Sequence, residues 1–143
     1  MNKRVYQVLS IVMVLIIFSN SFLSADISST QSGFIVNIAQ SVLNFFNLEL
    51  DLNILSHIIR KTAHLLEFLA LGYLVSMGWK LKMIQIMMII LLVATLDESI
   101  QLFSEGRAFS VIDISIDLVG GCIGFFVAKI IRKQMNQIEK VSL

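Results

Sequence analysis

Four stretches of this 143-residue chain are apolar enough to cross a bilayer, and the few charges inside them recur at one depth. In hydrocarbon a backbone has no water to bond, so lone spanning segments must be helices packed side by side. The expected spans are residues 5–24, 54–79, 83–103 and 111–131, each near the ~20 residues that cross a ~30 Å core. Hydrophobic residues make up 57% of the chain and there is no proline, which is a membrane protein's composition. The expected fold is an all-α integral membrane protein: one domain over 1–143, with four transmembrane helices in a bundle.

The first span follows Lys3-Arg4, as the apolar core of a signal peptide would. Phe22 and Leu23 deny the Ser24-Ala25 region a small-x-small cleavage site, so a retained helix is expected. The Ser-rich stretch 26–32 reads as an exposed loop. In 33–48, Phe34, Ile35, Ile38, Val42, Leu43, Phe45 and Phe46 fall near helical spacing among Asn37, Gln40, Ser41 and Asn44. That is too polar to span. An extracellular amphipathic helix at the interface is expected, a helix packed on the outer end of the bundle being the alternative.

Eight of the eleven Lys and Arg residues (Lys3, Arg4, Lys80, Lys82, Lys129, Arg132, Lys133, Lys140) fall at the N-terminus, the second-to-third turn and the C-terminus. Four spans place all of them on one side, so both termini are expected in the cytoplasm, with Trp79 as an inner aromatic anchor. A net charge of +1 with scattered cations carries no nucleic-acid signal. A single cysteine, Cys122, excludes an internal disulfide; in its apolar run it reads as a structural thiol. Gly-rich phosphate loops, paired Cys ligands and a Gly-x-Ser-x-Gly elbow are absent.

The other three cations and five of the acids fall in three motifs: Arg60-Lys61-Thr62-Ala63-His64-Leu65-Leu66-Glu67, Asp97-Glu98-Ser99-Ile100-Gln101, and Gly106-Arg107 leading to Asp113 and Asp117. At ~1.5 Å per residue from the cytoplasmic helix ends, Glu67 and Asp117 stand about 18 Å up, His64 and Asp97 about 22 Å, Asp113 about 24 Å and Arg60 about 28 Å. Three helices thus deliver polar groups to one outer-leaflet layer. Arg60, His64 and Glu67 share a stripe, as do Asp97 and Gln101, and as do Asp113, Asp117, Gly120 and Gly124. The Gly120/Gly124 pair lets another helix approach closely. Each element has a plainer explanation: packing for the glycines, structural salt bridges of Asp113 and Asp117 with Arg60 and Arg107, a solvated loop for Glu105 and Arg107. Their coincidence in depth and face is what points to a site. Five carboxylates (Glu67, Asp97, Glu98, Asp113, Asp117) against three certain cations (Arg60, Lys61, Arg107) call for protonation or a bound cation.

In order and spacing these motifs resemble the VanZ-like family of small bacterial membrane proteins. The family pattern is Arg-Lys-x-x-His-x-x-Glu, then Asp-Glu-x-x-Gln, then Gly-Arg, a spaced Asp and a glycine-rich last helix. Phe18-Ser19 and Ser32-Gly33 extend the likeness to nearly the whole chain. Asp117 stands where many relatives carry Asn, and Phe68 where a Tyr is usual. The resemblance implies a bacterial cell membrane protein acting at the outer surface in envelope or antibiotic handling; the family takes its name from a protein associated with teicoplanin resistance. It implies no reaction.

Three functions stay open. In the first, Arg60, Lys61 and Arg107 hold phosphate or carboxylate groups of a membrane lipid, a lipid-linked envelope precursor or a lipoglycopeptide, and the acids accept hydrogen bonds from it. In the second, His64, Glu67 and Asp97 are ligands of a metal-assisted intramembrane hydrolase or transferase. One plausible histidine is a poor ligand set, and Ser99 and Ser110 are nucleophile candidates by proximity alone. A divalent cation is the one cofactor the residues leave open. In the third, the charges fix helix register for a partner-dependent protein. Binding is expected over catalysis. A homo-oligomer stays open, and a transporter is disfavoured for want of an inverted repeat or broken helices.

Overall fold

A computed structural model describes residues 2–22, 25–45, 50–104 and 108–141. These form five helices: α1 (Lys3–Ser21), α2 (Ala25–Phe45), α3 (Leu52–Gly78), α4 (Met83–Gln101) and α5 (Val111–Val141). The described residues contain no strand. Three helices, α1, α4 and α5, are long and apolar enough to cross a membrane. The fourth expected span, α3, is 27 residues long, but Arg60, Lys61, His64 and Glu67 lower its mean hydropathy and keep it out of that set.

The apolar side chains are arranged inside out. Only 22%, 33% and 28% of the residues in the apolar stretches of α1, α4 and α5 are buried. Val8, Ile11, Leu15, Ile84, Met88 and Leu92 are exposed, while Asp97, Glu98 and Asp117 are buried. In water such a surface invites aggregation; against lipid tails it costs nothing.

Two boundaries differ from expectation. The Ser-rich stretch 26–32, read as a loop, lies inside α2. It contains no Gly or Pro, and serines cost a helix only tenths of a kcal/mol each. The amphipathic segment expected at 33–48 is the second half of that helix, its last residues falling outside the described ones. α2 packs on α3 and buries Val36, while Ile38 and Val42 remain exposed. α5 continues to Val141, beyond the expected end at 131, because Lys, Gln, Met and Glu after Ile131 are good helix formers.

α3 is the hub: it packs on α1, α2, α4 and α5, most extensively on α5. That contact is made by glycines. A Cβ at Gly120 would strike the backbone carbonyl of Leu65, one at Gly124 that of Leu69, and one at Gly72 the carbonyl of Gly121. Leu65 meets Gly120, Leu69 meets Gly124 and Ser76 meets Arg132, so α3 and α5 run parallel. Around this seam Ile17, Phe68, Leu71, Val75, Ile86, Ile90, Val93 and Ala94 form the core. Phe68, the Tyr position of the family pattern, is fully buried there, where a hydroxyl would need a partner. At the other end Tyr6, Met77 and Ala128 form a second cluster.

Gly124→Leu should cost about 1–3 kcal/mol, the range for overpacking a tight contact. Gly33→Ala, inside α2 where an added Cβ meets nothing within 4 Å, should stabilise by up to about 1 kcal/mol. Thermal unfolding of the purified variants in one detergent checks both.

Candidate functional site

The polar side chains meet where the ends of α1 and α4 come alongside the first halves of α3 and α5. Asp97 is wholly buried. It accepts a hydrogen bond from the Ser21 hydroxyl and one from Gln101 Nε2 at 2.9 Å; Gln101 is one helical turn on, so both side chains share a face. Glu67 on α3 accepts from Asn20 Nδ2 at 2.7 Å. His64 stands between them, its Nδ1 3.8 Å from Glu67 Oε2 and 3.9 Å from Asp97 Oδ2. Both distances are too long for a direct hydrogen bond.

The second half of the layer lies toward α5. Glu98 is 1% exposed and accepts from the Ser110 backbone N–H at 2.7 Å. Ser110 is itself held in place, because its hydroxyl accepts from the Asp113 N–H at 3.2 Å and so caps α5. Lys61 forms an ion pair with Asp113. The plainer explanation paired Asp113 with Arg60 or Arg107; Lys61 takes it instead, because it lies on the stripe of Leu65 and Leu69 that is turned to α5. Arg107, with Gly106 and Glu105, lies outside the described residues.

Two groups stand apart. Asp117 is 1% exposed, and neither of its carboxylate oxygens has a hydrogen-bond partner among the described residues. Four other carboxylates, Asp97, Glu98, Asp113 and Glu67, lie within its electrostatic reach. The buried Nε of Arg60 is also without a partner there. A buried polar group left unbonded costs about 1–3 kcal/mol, more when charged, so both are positions where an added donor or acceptor would bind well.

His64, Glu67 and Asp97 are brought together, but no group of three His, Cys, Asp or Glu among the described residues is arranged to hold a metal ion. Ser99 turns its hydroxyl to the Thr95 carbonyl at 2.7 Å, and His57 is exposed. Gly120 and Gly124 lie on the seam with α3, below the acids of their own stripe.

Sequence reasoning missed the contribution of α1. Asn20 and Ser21 supply donors to Glu67 and Asp97, and the Ser104 hydroxyl ties the Ser21 carbonyl to the end of α4 at 2.7 Å. A depth count brings the end of α1 to the level of the layer, Ser21 standing about 27 Å above Lys3, but does not tell which of its small polar residues faces inward.

A bundle of apolar helices that buries its charges in one layer and turns its apolar side chains outward defines a membrane-embedded helical protein. The chain belongs to the VanZ/LLP1 family, whose model matches residues 6–132, a range that runs from α1 into α5 and takes in every residue of the layer. No curated protein and no solved structure matches it.

Ser21→Ala should cost about 1–3 kcal/mol, since it strips a donor from a buried carboxylate. Ser19→Ala, whose exposed hydroxyl bonds only the Leu15 carbonyl, should change stability by less than about 0.5 kcal/mol. Paired thermal melts separate the two.

Proposed function

We propose that the protein is a four-span membrane protein whose outer-leaflet polar layer binds the head of an acylated envelope molecule. That molecule is a lipid, a lipid-linked wall precursor or a lipoglycopeptide, and by binding it the protein contributes to teicoplanin resistance. α3 is the fourth span: its 27 residues reach about 40 Å, and its charges face neighbouring helices rather than lipid. The basic residues gather at the end of the bundle where Gln7 bonds the Gly78 carbonyl and Arg132 the Ser76 carbonyl. By the positive-inside rule that end, with both termini, faces the cytoplasm and the charged layer faces out.

The observation that carries this reading is the pair of buried groups that lack a partner among the described residues. Asp117 offers two acceptor oxygens to an amine or hydroxyl, and Arg60 offers a donor to a phosphate or carboxylate. A ligand with both functions would bridge them, and one with an acyl chain would reach the layer through the bilayer. The VanZ/LLP1 membership supports the resistance setting.

A second reading, a network that only fixes helix register, is favoured by Asp97, Glu67 and Glu98, each of which accepts from a protein donor. The two readings separate by mutation. With membrane levels matched by immunoblot, Arg60→Ala and Asp117→Ala should each weaken ligand binding roughly tenfold or more and restore teicoplanin susceptibility. Full resistance in both variants would reject the binding reading. Retained function in the exchange Lys61→Asp with Asp113→Lys, together with resistance in both Ala variants, would establish the network.

A further inference from the structure

The opposite end of the bundle holds a cavity of about 280 Å³ between α3, α4 and α5. Lys82, Lys129 and Arg132 line it, together with Leu81, Ile86 and Phe125, and none of the described lining residues is acidic. Three cations around one cavity without a carboxylate repel one another unless an anion is present. Two further features raise its affinity for an anion. α4 begins at Met83, so the positive end of that helix opens at the cavity beside Lys82. Arg132 is anchored by its hydrogen bond to the Ser76 carbonyl at the end of α3, which holds the guanidinium at the rim. A smaller cavity of about 140 Å³ shares Arg132 and adds Lys3, Lys80 and Trp79, extending the basic rim to the level of the aromatic anchor.

We propose that this cavity is a binding site for the phosphate of an anionic inner-leaflet phospholipid. The phosphodiester sits among Lys82, Lys129 and Arg132, and the glycerol and upper acyl carbons lie on Leu81, Ile86 and Phe125. A lipid is the occupant, rather than a soluble anion, because Leu81, Met83, Ile86, Phe125 and Ala128 make the rest of the wall apolar and Met83 is itself exposed on the outside of the bundle. The positive-inside rule accounts for lysines at this end but not for their placement around one apolar-walled cavity. This site is separate from the outer layer; its inner-leaflet placement rests on the orientation proposed above, and its anion binding does not.

The test compares thermal unfolding of the full chain in nanodiscs of phosphatidylcholine with and without phosphatidylglycerol. Wild type should gain a few degrees from phosphatidylglycerol, the size a bound ligand confers by mass action. Lys82→Gln with Lys129→Gln should lose that gain. Arg4→Gln with Lys133→Gln, which removes the same charge from the same end but not from either cavity, should keep it, as should Lys82→Arg with Lys129→Arg. Melting in phosphatidylcholine alone reports whether each variant is folded. The proposal is overturned if wild type shows no gain, if both Gln pairs lose it equally, or if inorganic phosphate added to phosphatidylcholine discs gives the same gain.

Discussion

The close approach of α3 and α5 is the contact on which the rest of the molecule depends. In a bilayer, helices gain little from hiding apolar surface from one another, because lipid tails are as apolar as leucine. What holds them is packing at short range, and Gly72, Gly120 and Gly124 remove the side chains that would keep the two backbones apart. Because the helices run parallel, this seam also sets what meets above and below it. Above it Lys61 reaches Asp113; below it Arg132 reaches Ser76. The two functional regions proposed here are the two ends of one glycine seam.

The outer layer follows from the cost of burying charge. Asp97 and Glu98 are adjacent on α4 and both buried, so they point to different neighbours and need different donors. Asp97 is served by Ser21 and Gln101, Glu98 by the backbone of Ser110 where the chain enters α5. Each satisfied acid fixes one element against another, which is why α1, α4 and the start of α5 converge on α3. Asp117 and the Arg60 Nε break that pattern. Among the described residues these are the members of the layer left without a hydrogen-bond partner, and the proposed ligand is placed against them for that reason.

Much of this was legible in the sequence because membrane helices obey a simple ruler. Helical rise turned the positions of Glu67, Asp97 and Asp117 into depths, and helical period placed Arg60, His64 and Glu67 on one face. The small residues of α1 were not legible in the same way. Ser19 and Ser21 look alike in an apolar run, yet one bonds its own helix and the other a carboxylate on α4. The stretch 26–32 misled for a related reason: serine is common in loops, but it is also tolerated in a helix when no glycine or proline interrupts it. Hydropathy alone understates α3, because the residues that make it the hub are the ones that lower its score.

By itself, then, the sequence determined the helical class, the layer of charges and the glycine stripe, since each depends only on local spacing and on the bilayer's intolerance of unbonded polar groups. The pairing of those charges was decided by the tertiary structure. Whether Asp113 meets Arg60 or Lys61, and which acids find a donor, depends on how far each helix is rotated about its axis. That rotation is set by side-chain packing between helices, which no single segment encodes.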